Sequence, residues 1–379
     1  MTEGCVIFDE RAARGGMRVG FARLNAPHRI NALGFAMIQR LGERLRSWAR
    51  DPAIACVVLD GAGERGFCAG GDVVRLRDSM QRDDEDGRAR VARFYAREYE
   101  LDYLIHRYRK PIVCWGGGIV MGGGMGLMSG ASHRIVTGDS HLAMPEISIG
   151  FYPDVGATWF LNRMPRHLGH FLGLTAAPVN ADDALLLGLA DYHLDATQQD
   201  TVYGRLLDTT WSADPHHNRA RLSEILRPLS AVRPPSPERS PVLANHAHIA
   251  TAMDAPGVPG ILTRLDRLDE RDPWLDGACA TLRAGSPTGA CVILEQLRRG
   301  RSLSLVQAFE SEFRLSLRFA AGHDFPEGVR ALLVDKDRTP HWSPPKLSGV
   351  DPATVCAHFD APAEDLPASA RLRLHDNGA

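Results

Sequence analysis

Over the first two hundred residues, short apolar runs alternate with amphipathic stretches. Met17 to Leu24 reads as a strand and leads into the turn-rich Asn25-Ala26-Pro27-His28. A helix follows, because Met37, Leu41, Leu45 and Trp48 recur at spacings of 4, 4 and 3 and so share one face. Ile54 to Leu59 is a continuous apolar run, the pattern of a strand covered on both faces; Ile112 to Trp115 and Arg134 to Thr137 read the same way. Such alternation predicts an α/β layered core. Between Ala213 and Pro241 the texture changes. Pro228, Pro234, Pro235, Pro237 and Pro241 crowd a polar stretch that should continue neither a helix nor a central strand. Beyond it, Val306, Phe309, Phe313 and Leu317 mark an amphipathic helix closed by Gly322. The expected organisation is a core over residues 1–212, a proline-rich connection over 213–241 and a mainly helical region over 242–379.

Composition works by exclusion. The 379 residues are 44% hydrophobic, enough to bury a substantial core, and the net charge of −2 gives no field that would draw nucleic acid or a membrane surface. No apolar run reaches the roughly 18 residues of a membrane span. The opening MTEGCVIFDE has neither the basic start of a signal peptide nor the Arg/Ser-rich character of a transit peptide. Cys5, Cys56, Cys68, Cys114, Cys279, Cys291 and Cys356 are scattered without a CxxC, which reads as reduced thiols in a cytoplasmic protein. His216-His217 and His246-Ala247-His248 lack thiol partners at ligand spacing, so no metal is expected.

Two glycine-rich segments carry the candidate chemistry. Gly66-Phe67-Cys68-Ala69-Gly70-Gly71-Asp72 comes shortly after one buried strand; Gly116-Gly117-Gly118 and Met121-Gly122-Gly123-Gly124 follow another. Residues this small let a ligand approach the main chain, and amides at a strand-to-helix junction favour negative charge. The P-loop pattern is absent, and a dinucleotide fingerprint tried on Gly122 and Gly124 meets Leu127 at its third glycine position. Two such loops fit a two-donor oxyanion hole, with tight packing as the competing reading. A third segment, Met144-Pro145-Glu146 through Asp154-Val155-Gly156, sets two carboxylates around a glycine and a proline; Pro153-Asp154 could equally begin a helix toward Phe160.

The combination Phe67–Asp72, Met121–Gly124 and Met144-Pro145-Glu146 resembles the enoyl-CoA hydratase/isomerase (crotonase) superfamily. Within it, Phe151-Tyr152-Pro153-Asp154-Val155-Gly156 and Gly322-His323-Asp324-Phe325-Pro326-Glu327-Gly328-Val329-Arg330-Ala331, running on to Asp335-Lys336-Asp337, resemble the 3-hydroxyisobutyryl-CoA hydrolase branch. The resemblance implies a spiral core of repeated ββα units with an acyl-CoA between the two loops. It makes the amides of Gly71 and Gly123 the oxyanion donors and Glu146 the principal catalytic carboxylate, bound to substrate along with Gly123. Asp154 would contact a 3-hydroxyl, and Glu98 in Arg97-Glu98-Tyr99 would be a further substrate-site acid. Without the resemblance Glu98 reads as an exposed acid on a helix over about Arg90–Arg107. Lys336 and Arg338 are candidates for the CoA phosphates, with a solvated surface face as the competing reading.

Hydratases of the superfamily carry a second glutamate three residues after the oxyanion-hole glycine, and here that position is Gly126. Adding water to a double bond needs a base for the water and an acid for the α-carbon; thioester hydrolysis can run on one carboxylate beside an oxyanion hole. The expected activity is thus hydrolysis of 3-hydroxyisobutyryl-CoA, an intermediate of valine breakdown, with Glu146 as general base or nucleophile and no cofactor beyond the CoA of the substrate. The rivals are an enoyl-CoA hydratase or isomerase using Asp154 or Glu98 as second acid, and a catalytically silent acyl-CoA-binding or scaffold protein. Superfamily members are often trimers or hexamers, so a homo-oligomer is compatible with the resemblance.

Overall fold

The computed structural model describes residues 5–82, 84–165, 167–231, 234–268, 271–360 and 366–374. The first four residues of the expected core, two residues of the proline-rich tract and parts of the C-terminal tail lie outside them. Among the described residues, eight strands build two sheets: β1 (Cys5–Ala12), β2 (Arg18–Asn25), β3 (Ile54–Gly61), β4 (Ile112–Gly116), β5 (Ile119–Met121), β6 (His133–Val136), β7 (His141–Ala143) and β8 (Tyr192–His193). The larger sheet runs β1-β2-β3-β4-β6-β8, and β5 pairs with β7 in the smaller one. Only β1 and β2 are antiparallel, with Asp9 opposite Phe21; every other pairing is parallel. Among the described residues, four α-helices lie between β2 and β6: α1 (Phe35–Arg50), α2 (Val73–Met80), α3 (Glu85–His106) and α4 (Gly123–Ser129).

The spiral comes from a repeat. β4, β5 and α4 follow one another, and β6 and β7 repeat the step, each time putting one strand in each sheet. After β3 the chain makes the same move without a named strand: Phe67 N–H donates to Gly117 O at 3.0 Å and Cys68 bridges Val120 in the small sheet. The first glycine segment is thereby hydrogen-bonded edge to edge with the second.

Parallel strands need cover on both faces, and β3 obeys residue by residue. Val57 and Leu59 pack into the larger core with Leu41, Leu45 and Trp48 of α1, while Cys56 and Val58 face a second core with Val113, Trp115, Leu206 and Leu222. Leu222 comes from a helix, Pro215–Leu226, inside the stretch read as non-helical. The expectation fails there because Asp214 caps the helix, its carboxylate accepting from His216 N–H at 2.9 Å, and Pro215 sits in the first turn where no intrahelical donor is lost. The rest of the chain is mainly helical. Its longest helix, Leu305–Ala321, ends at Gly322 as expected, but that glycine is extended (φ −86°, ψ 176°) rather than left-handed. No helix of the described residues is long and apolar enough to cross a membrane.

Candidate active site

Both glycine loops turn through a backbone conformation that side chains resist. Gly70 has φ +108° and Gly122 has φ +49°, and each immediately precedes one of the two amides singled out in the sequence. A positive φ at those points redirects the following peptide unit. Among the described residues, the N–H groups of Gly71 and Gly123 have no acceptor, whereas Asp72 N–H donates to Leu33 O at 2.9 Å and Gly122 N–H to Ala143 O at 3.4 Å. The two face each other closely. A Cβ on Gly123 would lie 3.5 Å from Gly71 N, and one on Gly70 would lie 3.6 Å from Gly123 N. Asn31, left-handed at φ 54° and fully buried, fixes the first loop from behind. Its amide nitrogen donates to the carbonyls of Ala62, Gly66 and Phe67 at 2.9, 3.2 and 3.1 Å, and its oxygen accepts from Ala26 N–H at 2.9 Å.

The structure brings the predicted carboxylates to the same place. Glu98, on α3, is 3% exposed, and its Oε1 lies 2.7 Å from the point a Gly123 Cβ would occupy. It is not the exposed helix acid that the local pattern alone suggests. Glu146 opens a short 3-10 helix, Glu146–Ile149, with Oε1 3.0 Å from the corresponding point of Gly122; its Oε2 is buried with no partner among the described residues. Asp154 does not cap a helix. The helix Ala157–Phe160 begins at Gly156, and Asp154, buried, accepts from Tyr99 Oη at 2.7 Å. Tyr99 Oη is also 2.5 Å from Ser316 Oγ, and Ser316 Oγ is 2.7 Å from Tyr152 Oη.

Two participants had no signal in the sequence beyond their residue type. Asp102, one turn after Glu98, is completely buried, and neither carboxyl oxygen is hydrogen-bonded among the described residues. Glu312, from the helix Leu305–Ala321, accepts from Gly156 N–H at 2.7 Å and Thr158 N–H at 2.8 Å, placing a carboxylate at the N-terminus of Ala157–Phe160. The C-terminal motif buttresses the same segment. Phe325 stacks on Phe151 with ring centres 4.2 Å apart, and Gly328 packs so closely on Ile149 that a Cβ would fall 2.3 Å from its carbonyl. Arg330 ties the motif together through Glu327, Asp335 and Asp337. Lys336 and Arg338 stand exposed on either side of Asp337.

So many acids buried together shift one another toward the neutral form. Burial, then the charge of Asp154, pushes both Glu98 and Glu146 well above the usual carboxylate range. Burial also raises Asp154 to about 7 against the lowering effect of the Tyr99 hydrogen bond, and raises Glu312 to about 8. Asp102 is pushed well up by burial and by Glu98. Cys68 lies in the first loop, but burial lifts its thiol to about 12, so it is no nucleophile at neutral pH. A cavity of about 430 Å³ opens beside this loop, lined by Asp72, Arg75, Leu76, Arg90, Arg93 and Phe94 among others. Among the described residues no cluster of three or more His, Cys, Asp or Glu is arranged for a metal ion.

Comparison with known proteins identifies the family. The family model described as enoyl-CoA hydratase/isomerase matches residues 19–359. The chain belongs to the enoyl-CoA hydratase/isomerase family. Its similarity to the mitochondrial 3-hydroxyisobutyryl-CoA hydrolase of Gallus gallus is 33% identity over 348 residues, 87% of this chain and 83% of that protein. It is also 33% identical over 351 residues to the small ribosomal subunit protein mS47 of Neurospora crassa, covering 87% of this chain and 66% of that one. Among solved structures, a carnitinyl-CoA dehydratase from Mycobacterium thermoresistibile superposes with a TM-score of 0.82 at 35% identity, over 96% of this chain and 98% of that one. The spiral fold and family expected from the loop motifs are thus both found.

Proposed function

We propose that the protein hydrolyses a CoA thioester, with 3-hydroxyisobutyryl-CoA as its substrate in valine breakdown. One observation carries this reading: two acceptor-free amides lie beside a buried glutamate with a free oxygen, while position 126 offers no second carboxylate. The thioester oxygen is held by Gly71 and Gly123 N–H, whose preorganised donation stabilises the oxyanion as it forms. Glu146, in its carboxylate form, then acts through Oε2: it either deprotonates the water that attacks the carbonyl and expels CoA thiolate, or displaces CoA thiolate itself to give an anhydride that water cleaves. Asp154 and Glu98 take the 3-hydroxyl and orient the acyl group. Arg75, Arg90 and Arg93 around the adjoining cavity give the anionic CoA moiety somewhere to run.

A second reading, hydration of an enoyl-CoA, draws on the electrostatic coupling of Glu146 to Asp154 and Glu98, either of which could serve as the second acid. Direct assays separate the two: CoA-thiol release from 3-hydroxyisobutyryl-CoA against loss of crotonyl-CoA absorbance. Thiol release with no absorbance loss is expected; the reverse would make the protein a hydratase, and binding with neither would make it a scaffold.

A further inference from the structure

Gly126 does more than lack a side chain. It lies on α4, three residues beyond Gly123, wedged between two neighbours. A Cβ there would fall 2.6 Å from Val155 Cβ and 2.9 Å from Asp102 Oδ2. Carbon atoms settle near 3.5–4 Å, so a methyl group at 126 would have to drive Val155 away by about 1 Å. Asp102 can yield by rotating its carboxyl, but Val155 Cβ is attached directly to the backbone. That backbone is already under tension: Val155 is a buried β-branched residue at φ +53°, followed by Gly156 at φ +90°. Asp154 is the residue before it, and Asp102 is one helical turn from Glu98.

We propose that Gly126 is a positioning residue for hydroxyl recognition: by allowing Val155 to pack against α4, it sets the separation between Asp154 on one side and the Glu98–Asp102 face of α3 on the other. This rests on the reading of Asp154 as the 3-hydroxyl contact. It gives glycine at 126 a constructive role besides removing the hydratase acid. Any side chain there displaces Val155 and carries the Asp154 carboxylate with it, away from the hydroxyl but not from the two amides.

The test compares 3-hydroxyisobutyryl-CoA with isobutyryl-CoA, which lacks the hydroxyl, by thiol release. Gly126→Ala is expected to lower the kcat/KM ratio between the two at least ~10-fold, since a misplacement of about 1 Å can cost on the order of 10²-fold. Val155→Gly removes the clashing Cβ and accepts a positive φ, so the Gly126→Ala/Val155→Gly double variant should recover most of the ratio. If Gly126→Ala keeps the wild-type ratio, whether fully active or uniformly weakened, the proposal is overturned. A folded double variant without recovery also overturns it. Should Gly126→Ala not fold, the double variant decides alone: a near-wild-type ratio supports the proposal, and a lost ratio or failure to fold refutes it. Asp154→Ala separates the two levels, because if that variant keeps the ratio then the reading of Asp154 has failed instead.

Discussion

Tyr99→Phe removes one hydroxyl and leaves the ring packing untouched. In the wild type that hydroxyl donates to Asp154 Oδ2 at 2.7 Å and opposes the effect of burial, which still lifts Asp154 to about 7. Hydrogen bonds to charged groups contribute about 1.5–3 kcal/mol, and one pH unit corresponds to about 1.4 kcal/mol, so losing the bond moves the Asp154 midpoint up by roughly one to two pH units. At pH 7 the ionised fraction then falls from about a half to between about 1 and 10%. If ionised Asp154 is the acceptor of the substrate hydroxyl, kcat/KM at pH 7 drops roughly 5- to 50-fold and returns to within about twofold of wild type by pH 9. Ser316 and Tyr152 keep each other as partners at 2.7 Å, so the rest of the network survives. The assay is a pH profile of thiol release on the hydroxylated substrate, with melting temperature followed at each pH. A uniform loss with an unmoved midpoint would refute the reasoning, because Tyr99 would then only be packing.

Further outcomes follow from the same geometry. Gly123→Ala keeps the N–H, but its Cβ would sit 2.7 Å from Glu98 Oε1 and push that donor out of line, so kcat is expected to fall on the order of 10²-fold, while Gly138→Ala, with nothing within 4 Å of its Cβ among the described residues, leaves it unchanged; steady-state kinetics of the two variants check this. Asp154→Asn should raise the melting temperature at pH 8 relative to wild type but not at pH 4. The folded-state value of about 7 lies above the 3.8 of an unperturbed aspartate, so the unfolded chain sheds its proton first and wild-type stability falls as pH rises between them. Melting curves showing no pH dependence in the difference would contradict the burial of that carboxyl.

Much of the fold was legible because its strands are buried on two faces. Val57 and Leu59 divide from Cys56 and Val58 between two cores, so β3 has to read as an unbroken apolar run. The small sheet was not legible, since Ile119–Met121 and His141–Ala143 are three residues each and their pairing is set by the spiral rather than by local pattern. Asp214-Pro215 carried a helix-start signal that the surrounding prolines obscured. At the site, Glu98 differs from an ordinary helix acid only in what faces it. Asp102, Glu312 and Ser316 are likewise ordinary in sequence and become part of the site through contacts between distant segments. The C-terminal motif was conspicuous as a resemblance, yet its physical role, stacking Phe325 on Phe151 behind the Glu146–Asp154 segment, needed three dimensions.

The most direct test of thioester hydrolysis by a single carboxylate is thiol release by Glu146→Gln, which keeps the shape of the side chain but cannot act as base or carboxylate nucleophile. Loss of kcat by about 10²-fold or more, in a folded protein that still binds 3-hydroxyisobutyryl-CoA, is the predicted result. Near-wild-type turnover by that variant would contradict the assignment of Glu146 and the mechanism built on it.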